Sequence, residues 1–236
     1  RLASQRAGNR GGQRGTQGQE MKLLLTLFTL LSGLLWTGSL MATEEPKFES
    51  LRKEDNFEVR RYAPLIVAET VVEGDMDSAS RRGFRLIADY TFGKNERIAM
   101  TNPVVAEPQG KAEKIAMTAP VSIEPENADR NRIAGAQRWR VHFVMPSQYT
   151  LATLPRPLNP QVTLREVPAQ TFAVLTYSGL NTEKRVQDKT DQLLDWLKAQ
   201  GVETIGKPQL ARYDPPWTLP FLRRNEILQE IKGHQP

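Results

Sequence analysis

The side chains able to hold a metal or polarise a bond are few in this sequence. There is no cysteine, which removes disulfides, thiolate metal sites and thiol nucleophiles together. The two histidines are His142 and His234. His142 alternates with Arg140 and Val144 along a strand-like run, so its ring shares a face with them. An imidazole there is either a single metal ligand or an ordinary packed side chain. His234 lies in the C-terminal tail. Met100, Met117 and Met145 could supply thioether ligands or soft apolar walls; on strands they read first as core. Tyr62, Tyr177 and Tyr213 offer hydroxyls either to the polar edge of a ligand or to buried hydrogen bonds of their own.

One short stretch gathers acid and base groups: Asp214–Trp217 (DPPW) followed by Arg223–Glu226 (RRNE). A carboxylate, two guanidiniums and an amide could move protons. The adjacent prolines instead fix a turn, and the charges read as caps and pairs around a last strand. No Ser-His-Asp order, HExxH, P-loop or GxGxxG occurs. With no catalytic motif recognised, the side-chain chemistry points to non-covalent binding rather than covalent catalysis.

The elements that position these residues repeat. Val59–Gly74 and Leu164–Gly179 align at an offset of 105 residues, matching Arg60 with Arg165, Ala68 with Ala173 and Gly74 with Gly179. Both are rich in β-branched and aromatic residues with a proline break, the pattern of strands. After Gly74, Asp75 is a fair N-cap, and Met76, Ala79, Gly83, Ile87 and Tyr90 fall on one helical face, with Gly93 as a stop. After Gly179, Asn181 or Thr182 caps a helix running to about Gln200, with Val186, Leu193, Leu194 and Leu197 as its apolar stripe and Gly201 beyond it. A shorter repeat, Ile98–Val104 and Ile115–Val121, predicts two adjacent, equivalent strands entering proline kinks. Trp139–Met145 reads as a further strand, and residues 123–136 and 151–160 as loops. Two strand–helix–strand halves imply a pseudo-symmetric α+β domain with a cleft or barrel between them.

Charge and hydropathy separate a leader from this domain. The net charge is +5, but Arg1, Arg6, Arg10, Arg14 and Lys22 oppose only Glu20 within residues 1–42, leaving about +1 for residues 43–236. A domain that close to neutral has no electrostatic footprint for nucleic acid. Residues 1–20, rich in Arg, Gly and Gln, read as a disordered extension upstream of a start at Met21. Leu23–Leu35 is too short for a comfortable span of ~20 residues and fits the apolar region of a secretory signal peptide over residues 21–42. Cleavage after Ala42 is expected, with Ser39 the rival and an uncleaved membrane anchor the alternative. No cysteine follows for a lipid anchor. Export to a bacterial periplasm, or secretion, is the expectation, with no stable membrane span left after cleavage.

Three segments, in order, resemble the hallmarks of the SOUL heme-binding family. They are Glu113–Val121 (EKIAMTAPV), Phe143–Ser147 (FVMPS) with Tyr149, and Ala211–Thr218 (ARYDPPWT) leading into Leu222–Glu226 (LRRNE). The resemblance covers roughly Phe48 to Ile231, within a domain read as residues 43–236. It implies an α+β fold: a distorted antiparallel β-barrel flanked by two α-helices with an internal pseudo-twofold repeat, similar to bacterial effector-binding domains. It also implies heme, or a related tetrapyrrole or small amphipathic molecule, as ligand. Family members are described as binding it on a shallow apolar surface beside the first helix. Carried onto this chain, that places the basic residue at Arg81 and the apolar contacts at Phe84 and Ala88, with Ile87 nearby. Methionines are typical of the family at the two contact positions. Some relatives ligate heme through a histidine in the N-terminal half; none stands there in this chain, so that mode does not carry over, and His142 is the histidine candidate for an axial ligand. The other readings are an enzyme acting on a small amphipathic molecule in the barrel cleft, and a ligand-free interaction module.

Overall fold

Short alternating runs become strands, and two amphipathic stretches become helices, in the structure, a computed structural model that describes residues 43–96, 112–126 and 131–232. In chain order these are β1 (Phe48–Glu54), β2 (Phe57–Tyr62), β3 (Leu65–Glu73), α1 (Met76–Thr91), β4 (Asn95–Glu96), β5 (Val121–Pro125), β6 (Arg138–Val144), β7 (Arg156–Pro157), β8 (Thr163–Val167), β9 (Gln170–Ser178), α2 (Glu183–Ala199), β10 (Gln209–Arg212) and β11 (Arg224–Glu230). Nine strands form one antiparallel sheet in the order β1-β2-β9-β11-β10-β5-β6-β3-β8, while β4 and β7 pair apart from it. All of these elements belong to one unit, Thr43–Pro236.

The repeat in the sequence is the symmetry of the sheet. An offset of 105 residues carries β3 onto β9 end to end. Gly74 and Gly179, which follow these strands, both have left-handed φ angles, 121° and 112°, which a side chain would resist. From β2 to β8 the strand order reads the same in both directions once β2 is matched with β8, β3 with β9, β6 with β11 and β5 with β10. The register agrees. Thr70, Val141, Ile123, Leu210, Ile227 and Leu175 stand directly opposite one another in a single row across six strands. Ile123 and Leu210 occupy equivalent places in the two halves and pair with each other at the centre. All six are essentially sealed from water and form the middle of the core.

Both helices pack on the face of the sheet that carries this row. α1 begins where Asp75 Oδ1 accepts from the backbone N–H groups of Asp77 and Ser78, at 3.0 and 2.9 Å. Met76, Ala79, Gly83, Ile87 and Tyr90 are its buried face, as the spacing predicts. Gly83 lets α1 approach β6 closely, since a Cβ there would lie 2.5 Å from Val141 Cγ2. α2 is capped by Thr182 and buries Val186, Thr190, Leu193 and Leu197, leaving Leu194 only half-buried.

The sheet is curled. Tyr62 of β2 and Arg165 of β8 come from opposite ends of the strand order, yet line one cavity on the face away from the helices. The chain is thus an α+β distorted barrel, half closed and flanked by two helices. Two local expectations differ. The copy at 115–121 is not a strand until Val121, and the pairing then runs on through Ile123 to Pro125, into the stretch expected as loop. Ile123 belongs to the central core row, which draws that segment into the sheet. The other copy, 98–104, lies outside the described residues.

Candidate ligand site

The helical spacing of α1 brings Arg81, Phe84 and Ala88 onto one face. Phe84 is 39% exposed, and its ring leans on Phe143 of β6, centroids 5.5 Å apart and planes at 50°. Ala88 is nearly covered at the surface, and Ile87 is 0% exposed, packed in the core beneath. Ile87 therefore supports this face from below and does not form part of it. Arg81 is exposed and reaches only Ser78 Oγ, at 3.5 Å. Among the described residues no carboxylate pairs with Arg81 or Arg85. Phe92, at the C-cap, is 61% exposed and was not singled out from sequence. Its spacing from Phe84 and Ala88, four residues at each step, continues their stripe and was the signal to find it. The face is thus two exposed rings, Phe84 and Phe92, with buried Ala88 between them and Arg81 and Arg85 beside its N-terminal end.

The described residues fit the macrocycle of a porphyrin better than its iron. Aromatic and small apolar side chains suit the ring, and free guanidiniums suit the propionates. None of Arg81, Phe84, Arg85, Ala88 and Phe92 is a ligand for iron. Alternation along β6 puts Phe143 on the helix side and His142 on the other, so a ring resting on Phe84 has the sheet between it and His142. No cluster of three or more metal-binding side chains occurs among the described residues.

The opposite face of the sheet holds a cavity of about 290 Å³. Phe48, Tyr62, Phe172 and Leu228 form its apolar side; Glu124, Arg140, His142 and Arg165 form the other. Most charges on this face are already matched. Arg60 holds Glu226 at 3.0 Å and Glu58 at 2.7 Å, and Tyr213 donates to Glu226 at 2.7 Å. Arg165 holds Glu69 at 2.8 Å, and Arg140 holds Glu124 at 2.9 Å. Burial raises the pKa of Glu124, opposed by Arg140, while Glu69 is held below the usual range against its own burial by Arg165. Burial pushes the His142 imidazole down to about 4, with Glu69 opposing.

The remaining candidates are structural in their contacts. Tyr177 donates to Asn181 Oδ1 at 2.8 Å on the helix side. Met145 is core, and Met117 Sδ accepts from Thr91 Oγ1 at 3.4 Å. Asp214 Oδ2 accepts from the Arg224 backbone N–H at 2.6 Å, and Arg223 Nε donates to the Thr218 carbonyl at 2.8 Å, so these groups close the last turn. Met100 and His234 lie outside the described residues.

Such a doubled, curled sheet with two flanking helices defines a class of α+β half-barrels. Within that class the chain belongs to the SOUL heme-binding protein family, whose sequence profile matches residues 43–112 and 107–230. A search of curated protein sequences finds no match. Among solved structures the chain is similar to an EcmrR–DNA complex in EcmrR-RPo, at 11% identity and a TM-score of 0.51, covering 92% of this chain and 67% of that one. It is also similar to the EcmrR C-terminal domain, at 11% identity and a TM-score of 0.49, covering 78% and 98%. A hydrolase from Listeria innocua follows at 12% identity and a TM-score of 0.47, covering 77% and 94%. At these identities the likeness concerns the fold alone.

Proposed function

We propose that the protein binds heme or a related tetrapyrrole, or a similarly flat amphipathic molecule, non-covalently on the exposed face of α1 and serves as its carrier or buffer. Phe84 carries this reading: a large ring left in water, yet fixed by Phe143, on the helix where SOUL proteins are described as holding their ligand. A ring laid across Phe84 and Phe92 removes apolar surface from water, at ~25 cal/mol per Å². Arg81 and Arg85 are placed for carboxylates at its edge, where charge-assisted bonds form. Binding then rests on the ring and its carboxylates, not on iron ligation. The near-neutral charge of residues 43–236 supports a small molecule, rather than nucleic acid, as partner.

The apolar run Leu23–Leu35 supports a periplasmic or secreted bacterial setting, reached by cleavage after Ala42 or held by an uncleaved anchor. No helix among the described residues is long and apolar enough to cross a membrane. N-terminal sequencing of protein recovered from the periplasm checks this setting.

Hemin titrated into the protein is expected to give a saturable Soret shift. Phe84→Ala and Arg81→Ala are each expected to weaken it about tenfold, near 1.4 kcal/mol. Affinities unchanged in both variants would remove the α1 face as the site.

A further inference from the structure

The cavity on the far face of the sheet is separate from the α1 face. β6 separates it from α1, with His142 turned one way and Phe143 the other. One wall is a set of rings: Tyr62 meets Phe172 edge to face at 5.8 Å, and Phe48 meets Tyr62 at 5.5 Å. Facing it, His142 and Ser122 stand directly opposite one another on β6 and β5, with Glu69 of β3 next in the row. The carboxylates and guanidiniums beside them are engaged with each other: Glu69 with Arg165, Glu124 with Arg140, Glu226 with Arg60.

His142 is a titratable lining group outside these pairs, although Arg140 Nε beside it also has no hydrogen-bond partner. Its Nδ1 is sealed from solvent and has no hydrogen-bond partner. Nε2 is not sealed in this way and also has no partner among the described residues, so it is the nitrogen a molecule in the chamber can reach. Burial keeps the ring neutral at ordinary pH, so it carries one donor and one acceptor. A hydroxyl both donates and accepts, and so matches Nε2 in either tautomer. At about 290 Å³ the chamber is at the small end of ligand pockets, which run ~300–1,000 Å³. It has room for one or two rings. A charged guest would enter a space whose own charges are already paired.

We propose that this chamber is a second binding site, distinct from the α1 face, for an uncharged aromatic alcohol of one or two rings. The ring lies against Tyr62 and Phe172, and the hydroxyl meets Nε2 of His142.

Calorimetric titration of the full chain with 2-naphthol and with naphthalene tests this pairing of ring and hydroxyl. Saturable 2-naphthol binding at least tenfold tighter than naphthalene is expected. His142→Phe, which keeps the bulk and removes the nitrogens, should bring 2-naphthol down to the naphthalene level while hemin binding stays unchanged. Should that variant not fold, the ring ¹⁵N resonances of His142 in the unaltered protein decide: they are expected to shift on adding 2-naphthol and not on adding naphthalene. Equal affinity for the two probes, no saturable binding, or unmoved His142 resonances would overturn the assignment. Hemin binding that fails while 2-naphthol binds would overturn the α1 proposal and leave this one standing.

Discussion

Phe84 of α1 rests on Phe143 of β6, ring against ring at 5.5 Å, while the residue before Phe143 faces the other side of the same strand. One strand thus backs two surfaces of different character. On the helix side it props an exposed aromatic strip beside arginines. On the far side it presents His142 to a small chamber. A substitution at Phe84 acts on the first, and one at His142 on the second.

The close seating of α1 depends on Gly83. Gly83→Ala raises helix propensity, worth ~1 kcal/mol. It also drives a methyl to within 2.5 Å of Val141 Cγ2, in a core row with no slack. Overpacking of this kind costs ~1–3 kcal/mol and is expected to win. Urea unfolding of Gly83→Ala should show a lower midpoint than the parent protein. A raised midpoint would mean that α1 does not bear on β6 as described.

Arg60 neutralises Glu226 and Glu58, both at least nine-tenths out of solvent. Arg60→Met leaves two buried carboxylates without their cation, and removing one partner of such a pair costs ~3–5 kcal/mol. The exposed Lys184–Asp188 pair is a contrast: Lys184→Ala should cost ~0.5 kcal/mol or less. Thermal melts of the two variants side by side check the difference. Similar melting temperatures would contradict the burial of the Arg60 cluster.

His142 makes stability depend on pH in a defined window. Its folded pKa of about 4 lies below the unfolded value near 6.5, lowered first by burial and further by Arg165 and Arg140, against Glu69. As pH falls from ~6.5 towards 4, the unfolded chain takes up this proton and the folded one does not. The contribution of the neutral ring is therefore complete above ~6.5 and is lost across that interval, by roughly 1–3 kcal/mol. Unfolding free energies measured at pH 7.5 and 4.5 should differ by about that much less in His142→Phe. An identical pH dependence in variant and parent would show that His142 titrates near its ordinary value.

Much of the fold was legible because it is written twice. The 105-residue offset placed β3 and β9 correctly, and capping residues located both helices within a residue or two. What was not legible depends on non-local pairing. The strand at Val121–Pro125 has a polar sequence neighbourhood, and it is Leu210, some ninety residues away, that holds Ile123 in the sheet. The α1 face is legible only through the family resemblance, and Phe92 stands at the C-cap, outside the buried stripe that marks the helix in the sequence. The chamber was invisible because Tyr62, His142, Phe172 and Leu228 are far apart in sequence and meet only when the sheet curls. Ile87 neighbours the ligand face in sequence, but it belongs to the buried stripe with Gly83 and Tyr90, which faces inwards.

The most direct test of the central claim is a map of where a porphyrin lands. Amide chemical shifts recorded during titration with a diamagnetic gallium protoporphyrin should move in one patch, from Ser78 to Phe92 with Phe143 beneath it, and saturate together. Iron-free protoporphyrin should give the same patch, since no iron ligand is used. Shifts centred instead on Tyr62, His142 and Phe172, or spread without saturation, would contradict the account.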